Sequence, residues 1–355
     1  MNITRIHHAT MVSSDAQRTV DFYTRLLGMR LIKQTVYDNQ PEVHQHIYFG
    51  NQSAEPGSIL SFFVWPNTRR GNEGIGGTHH IALNTKDRES LLRWKRWLTD
   101  HDVRVWGPYD RVYFNSIYFN DPDGLILEIA TEGPGFTVDE PAESLGQEIK
   151  YPPYRALRGM RDEEAIELET WPEPVPSIDK EMALNSLHHI SAIGTNGDRI
   201  LRFYNGILTL PTVKQTVNFD NPDSPHLYVG VDGGVPGSII TYFVYDQGGF
   251  RPFRMGTGVT HHFAFEVPDV DALHQWKEQL SRYEIESSDI RDRTYFQAVY
   301  FHDPNGHILQ LATTGPGFTV DETLEELGSR LQLPAHLESK RDEFEANLPA
   351  LDPGR

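Results

Sequence analysis

No cysteine occurs in the 355 residues, which excludes disulfides, thiolate metal sites and a cysteine nucleophile. No apolar run approaches the ~20 residues that a membrane span requires. The opening Met1-Asn2-Ile3-Thr4-Arg5-Ile6-His7 lacks a charged stretch followed by an apolar one, so no signal peptide is expected. Positive charge is scarce as well: 32 Lys and Arg against 50 Asp and Glu leave a formal charge of −18, which argues against nucleic acid and anionic membranes as partners. These absences point to a cytoplasmic protein that handles a small molecule. The length suits two domains, each able to bury its own core.

What the chain does have is a repeat. Ile6-His7-His8-Ala9 returns as Leu187-His188-His189-Ile190, and Thr78-His79-His80-Ile81 as Thr260-His261-His262-Phe263. Leu127-Glu128-Ile129-Ala130-Thr131 returns as Leu309-Gln310-Leu311-Ala312-Thr313. The offset is 181 or 182 throughout (189 − 8, 262 − 80, 310 − 128). Lys33-Gln34-Thr35-Val36 matches Lys214-Gln215-Thr216-Val217, and Gly133-Pro134-Gly135-Phe136-Thr137-Val138-Asp139-Glu140 recurs letter for letter from Gly315 to Glu322. One ancestral unit of roughly 180 residues has been duplicated, longer than a solenoid period. Imidazoles and a carboxylate are repeated with it, and these groups bind divalent metals.

Each unit divides again, because its two His-His pairs lie 72 or 73 residues apart (80 − 8, 262 − 189). A module opens on a short alternating stretch, continues as an amphipathic helix such as 16–27 or 89–98, and closes with apolar strands broken by turns. Asp121-Pro122-Asp123-Gly124 and Asp303-Pro304-Asn305-Gly306 read as hairpin turns, and Gly28 and Gly206 as helix stops. The pattern is βαβββ four times, over about 3–66, 76–132, 184–246 and 258–314. The expected fold is therefore α+β, with four modules in two tandem repeats that form two cup-shaped mixed sheets. A first repeat covers 1–170, a stiff exposed linker rich in proline covers 171–183, and a second repeat covers 184–355. The Gly-Pro-Gly-Phe stretches read as simple turns.

Alternation along a strand puts His80 with Thr78, Ala82 and Asn84, and His262 with Ala264 and Glu266, on the smaller and more polar face. His189 shares its face with Ser191, while His8 groups with Ile6 and Thr10 and is the weaker case. The same parity sends His79 and His188 to the opposite face. Glu128 and Gln310 each stand four residues beyond a turn glycine, where the other two modules have Ser61 and Thr241. One module of each kind thus completes two histidines with one acid or amide. A single strand histidine is most often a satisfied polar group. Four pairs at repeated positions beside a repeated carboxylate position favour metal ligation instead. Only the set containing Glu128 is complete, and two imidazoles with one carboxylate leave the open positions typical of non-haem Fe(II) oxygenases.

With those residues in view, the chain resembles the vicinal oxygen chelate superfamily over nearly its whole length. Lys214 to Pro222, His226-Leu227-Tyr228 and Tyr113 to Phe119 resemble the hydroquinone ring-cleaving dioxygenase branch, as does the tail from Gly315 through Leu333-Pro334 to Arg341. The resemblance implies Fe(II), with Mn(II) open because its ligand preferences overlap, held by His80 and Glu128 of a closing module and one histidine of an opening module. It pairs module one with four and module two with three, which selects His189 as that ligand and keeps His8 as the alternative. Module three, with Val217-Asn218-Phe219-Asp220, is closer to the family than module one, with Val36-Tyr37-Asp38-Asn39. Tyr118 and Arg111 fall on an active-site tyrosine and arginine, and His79 and His188 on acid/base positions, against their strand parity. The second half keeps Tyr300 and Arg293, but its set of His8, His262 and Gln310 lacks the acid, so it is expected to be a degenerate site. The implied partners are a small aromatic substrate and O2, with a homodimer left open. A glyoxalase-type isomerase would need an acid or amide where Ser61 and Thr241 stand. A drug-sequestering protein would need the cup but no metal.

Overall fold

Apolar stretches, several of them buried along their whole length, form the strands, and turns such as Asp121–Gly124 and Asp303–Gly306 separate two of the pairs. The computed structural model describes residues 2–36, 44–245 and 249–353, so Tyr37-Asp38-Asn39 of module one lie outside the described residues. Module one supplies β1 (Ile6–Ser13), β2 (Arg30–Val36), β3 (Gln45–Gly50) and β4 (Ile59–Val64). Module two supplies β5 (Thr78–Thr85), β6 (Trp106–Asp110), β7 (Asn115–Asn120) and β8 (Ile126–Thr131). Module three supplies β9 (Leu187–Gly194), β10 (Thr212–Asn218), β11 (Asn221–Val229) and β12 (Ile239–Val244). Module four supplies β13 (Val259–Val267), β14 (Arg291–Asp292), β15 (Phe296–His302) and β16 (Ile308–Pro316).

The strands form two eight-stranded mixed sheets, β14-β15-β16-β13-β1-β4-β3-β2 and β10-β11-β12-β9-β5-β8-β7-β6. Each sheet therefore takes one module from each repeat. Modules four and one join through antiparallel β13–β1, and modules two and three through antiparallel β5–β9. The first strand of every module lies at the middle of its sheet, which puts the His-His pairs at the two joints.

One face of each sheet packs on a shared core, where Ile81, Leu83, Ile117, Leu127, Ile129, Leu187 and Ile190 meet Trp94 and Leu98 of the helix Arg88–Asp100. That helix starts on Asp87, whose carboxylate accepts a hydrogen bond from the Ser90 N–H, an N-cap of the usual kind. The other face lines a cup.

Several expectations are corrected. The helix expected over 16–27 is α-helical over Ala16–Val20 and widens to a π-helical turn over Asp21–Leu26. Gly28 does stop it in the left-handed region (φ 69°), but Gly206 sits inside the corresponding wound segment Arg202–Ile207. Aligning Tyr23 with Tyr204 shows why: the counterpart of Gly28 is Thr209, which takes the left-handed turn itself (φ 56°). The linker is not simply exposed. Val175 and Met182 are buried in the main core, and Trp94 donates its indole N–H to the Met182 carbonyl at 2.7 Å.

The Gly-Pro-Gly-Phe stretches are more than turns. Lys214 of β10 is fully buried, with its ammonium 2.6 Å from Asp139 and also bonded to Glu140. Lys33 of β2 pairs in the same way with Asp321, at 2.5 Å, and with Glu322. Each repeat thus clamps a lysine of the other.

Candidate metal centre

Three neighbouring strands, β9, β5 and β8, bring the metal-type residues together. Ala82 pairs with Glu128 on one side and with His189 on the other, and His80 lies two residues away on the same face. Glu128 Oε2 stands 2.8 Å from His80 Nε2 and 3.2 Å from His189 Nε2, and the two Nε2 atoms are 3.2 Å apart. His80, Glu128 and His189 are all buried, and among the described residues they are the one group of three that could hold a metal ion. His8 is elsewhere: it faces His262 across the other joint, ring centroids 5.6 Å apart.

Strict alternation fails at the doubled histidines. In the β5–β9 pairing, Thr78 and His80 face Ala192 and Ser191, so His79 is an extra residue; Ala82 and Leu83 face His189 and Leu187, so His188 is another. His7 and His261 are the extra residues where β1 meets β13. Each is a β-bulge, which re-aims a side chain. The bulge turns the first ring back against the second: Nδ1 to Nδ1 distances are 2.7 Å for His79–His80 and 2.8 Å for His188–His189. The opposite-face placement expected from parity is thereby corrected.

The contact assigns tautomers. His188 Nε2 lies 3.1 Å from the Thr131 carbonyl, which only accepts, so Nε2 carries the proton. His188 Nδ1 then accepts from the Nδ1–H of His189, which leaves His189 Nε2 as a bare lone pair facing Glu128. A second partner of this kind is how metal-bound histidines are usually oriented. Burial holds His79 and His188 at a pKa of about 3 and lowers His80, so neutral rings are the rule here.

The residues fit a divalent cation. Neither oxygen of the buried Glu128 receives a properly directed hydrogen bond, although Oε2 is close to both rings, so the short contacts are a convergence rather than bonding. Ligands ~2.1 Å from a common centre and at right angles are about 3.0 Å apart, close to the spacings found. A carboxylate and lone pairs at that range repel unless positive charge lies between them.

Tyr118 pairs directly with Glu128 across the β7–β8 hairpin and packs its ring on His80, centroids 5.5 Å apart. Burial raises its hydroxyl pKa further than Arg111 lowers it, so it keeps its proton. Arg111 lies over the Tyr118 ring at 5.3 Å and is anchored by Asp220 at 3.0 Å, itself bonded to Arg161. The cavity between these groups is about 30 Å³, and Phe114, Phe219 and Phe243 line it.

One lining residue, His226, was noted from the sequence only for its resemblance and given no role in the site. His226 Nε2 is 3.0 Å from Thr241 Oγ1, its Nδ1 is 3.0 Å from the Tyr228 hydroxyl, and Thr241 is 2.7 Å from Ser191 Oγ. The signal was present, because His46-Ile47-Tyr48 repeats as His226-Leu227-Tyr228.

The sequence pattern of the Glyoxalase/Bleomycin resistance protein/Dioxygenase superfamily matches residues 5–129 and 186–311, and the chain belongs to this superfamily. Among individual proteins it is similar to the Bacillus subtilis protein named "Putative ring-cleaving dioxygenase MhqA", 30% identical over 98% of this chain and 99% of the relative. It is also similar to the chlorohydroquinone/hydroquinone 1,2-dioxygenase of Sphingobium indicum, 27% identical over 96% of this chain and 94% of the relative. The crystal structure of a "putative dioxygenase" from Bacillus subtilis superposes with a TM-score of 0.78 at 26% identity, covering 100% of this chain and 99% of the other. Glyoxalase I from Zea mays shares the fold, with a TM-score of 0.55 at 15% identity over 87% of this chain and 92% of the other.

Proposed function

We propose that the chain is an Fe(II)-dependent ring-cleaving dioxygenase acting on a hydroquinone or related dihydroxy aromatic, with His80, His189 and Glu128 as its metal ligands. The observation that carries this reading is the buried convergence of two imidazole lone pairs and one carboxylate in a cup with aromatic walls. Relatives named as ring-cleaving and hydroquinone dioxygenases, matched over nearly their full length, support the substrate class. Held by His80, His189 and Glu128, the metal would make a substrate phenol more acidic and supply the redox chemistry that reaction with O2 needs. Mn(II) suits the same donors and is the alternative ion.

The side chains around the site do the rest. Phe114, Phe219 and Phe243 exclude water and stack against a planar ring. Tyr118, protonated throughout the working range, donates a hydrogen bond to a substrate oxygen. Arg111 places fixed positive charge where negative charge develops on the ring oxygens. His188 and His79 hold the ligand rings in their metal-binding tautomer, a positioning role. A cavity of about 30 Å³ is too small for a ring, since benzene needs about 150 Å³. Entry therefore requires side chains of the cup wall to move.

The fourth-ligand position of a glyoxalase-type site is taken by Thr241, which is already engaged by Ser191 and His226. This favours the dioxygenase over the isomerase. In an oxygen electrode, anaerobically Fe(II)-loaded protein should consume O2 on addition of a hydroquinone, with no flavin or nicotinamide. Failure of every dihydroxy aromatic, combined with isomerisation of a hemithioacetal, would overturn the proposal in favour of the glyoxalase reading.

A further inference from the structure

The second cup repeats the first with a single change in its ligand set. His8 and His262 occupy the places of His189 and His80, with ring centroids 5.6 Å apart against 5.3 Å. Arg293 and Tyr300 repeat Arg111 and Tyr118, with Arg293 Nε 3.1 Å from the Tyr300 hydroxyl. Phe296 and Phe63 repeat Phe114 and Phe243 as walls. His46 is held between Ser61 at 3.1 Å and Tyr48 at 3.0 Å, as His226 is between Thr241 and Tyr228. What differs is the carboxylate, which is Gln310 here.

Gln310 pairs directly with Tyr300, so the two side chains share the cup face. It is fully buried, and neither its amide nitrogen nor its oxygen has a hydrogen-bond partner. A buried amide with both ends unpaired is costly, and a polar ligand that meets both ends recovers the loss. A neutral amide does not balance a divalent cation as a carboxylate does. The cup has therefore lost the charge that holds metal while keeping the groups that would hold an oxygenated ring.

The cup's own polarity defines the ligand. His7 Nε2 lies 3.2 Å from the Thr313 carbonyl and must donate to it, so His7 Nδ1 accepts from the Nδ1–H of His8 at 2.8 Å. His8 Nε2 is left as an acceptor on the cup side. Arg293 adds fixed positive charge, and Phe63 and Phe296 add aromatic faces; Gln310, beneath the cavity between its lining residues Tyr300 and, across Ala264, His8, adds one donor and one acceptor at the floor. The cavity is about 370 Å³, within the ~300–1,000 Å³ of small-molecule pockets and ample for a benzene-sized ring. Pro334, Ala335 and His336 of the C-terminal tail border it.

We infer that the second cup binds a hydroquinone-class phenol without any metal. One hydroxyl donates to His8 Nε2 and accepts from the Gln310 amide, the ring lies between the phenylalanines, and the far oxygen faces Arg293. The choice of a hydroquinone rests on the function proposed for the first cup, whose side chains the second repeats.

The test uses metal-stripped protein and hydroquinone itself under argon, with bound ligand measured by isothermal titration calorimetry. Neither metal nor O2 is present, so failure of ring cleavage and failure of this site are separate results. The expected result is one saturable site per chain that is unchanged in Glu128→Ala and Tyr118→Phe. Gln310→Leu and, independently, Arg293→Gln at the half-buried mouth should each weaken it at least tenfold, with thermal melting confirming that both variants are folded. No saturable binding at low millimolar hydroquinone would overturn the inference. So would binding that survives Gln310→Leu and Arg293→Gln but is lost in Tyr118→Phe, because the ligand would then lie in the first cup.

Discussion

A carboxylate at 128 and an amide at 310 are the residue-scale difference on which the molecule turns. Both side chains are fully buried and opposite a tyrosine, yet only one set can neutralise a divalent ion. Purified protein should accordingly hold a single strongly bound divalent ion per chain by elemental analysis. Glu128→Ala should remove it and Gln310→Ala should leave it in place; equal occupancy of both cups in the unmodified protein would contradict the asymmetry. Gln310→Glu completes the second set and should raise the content towards two. The outer histidines predict a graded effect. His188→Ala cuts the tie from His189 to the Thr131 carbonyl, and chelator competition should show a 10- to 100-fold loss of metal affinity, the usual effect of removing such a partner. Unchanged affinity would show that the ring of His189 is held by other contacts.

At the scale of elements, four βαβββ modules were legible because each opens on a short alternating stretch and its apolar strands are broken by turns, Asp121–Gly124 and Asp303–Gly306 being the clearest. Tyr118 was placed only by resemblance, and the hairpin at Asp121–Gly124 pairs it directly with Glu128. What alternation could not show is the bulge at each doubled histidine, since a bulge depends on the register of a partner strand from the other repeat. The role of Thr131 as tautomer anchor was hidden for the same reason. The two hairpin turns also differ in a way that sequence comparison alone would miss. Asp121 accepts backbone N–H bonds from Asp123 and Leu125, and burial raises its pKa to about 7. In the other turn Leu125 is replaced by His307, whose Nδ1 lies 3.0 Å from Asp303; burial would raise that carboxyl, but His307 lowers it overall. Between an unfolded pKa of about 3.9 and about 7, folded Asp121 retains a proton the unfolded chain has lost, so stability falls as pH rises through this window. Asp121→Asn keeps the acceptor oxygen and removes the ionisation. Urea denaturation should show the variant gaining on the unmodified protein from pH 5 to pH 8, and a pH-independent difference would rule out the ionisation as its cause.

At the scale of the whole molecule, the repeats are exchanged rather than stacked. Each sheet is half one repeat and half the other, so a complete ligand set needs His189 from one repeat beside His80 and Glu128 from the other. The reciprocal lysine clamps bind the same halves together. Lys33 and Lys214 lie wholly inside the protein, and each meets an Asp-Glu pair supplied by the other repeat. Identical wording in the two copies is thereby explained, because Lys-Gln-Thr-Val and Gly-Pro-Gly-Phe-Thr-Val-Asp-Glu are the two sides of one contact made twice. The clamp on Lys214 is also close to the metal cup. Phe136 of the same stretch packs on Tyr228 with centroids 5.2 Å apart, and Tyr228 orients His226. Breaking a buried ion pair on one side strands the other charge and costs about 3–5 kcal/mol. Lys33→Met and Lys214→Met should each lower stability on that scale, read as a drop in the urea midpoint. Adding Glu322→Gln to Lys33→Met should recover part of the loss, since it removes a stranded charge. The two clamps should then differ in consequence: after mild destabilisation, Lys214→Met should weaken metal retention, whereas Lys33→Met, which borders the other cup, should leave it unchanged. Equal metal loss in both variants would mean that the sheets come apart together, and that neither clamp belongs to one cup.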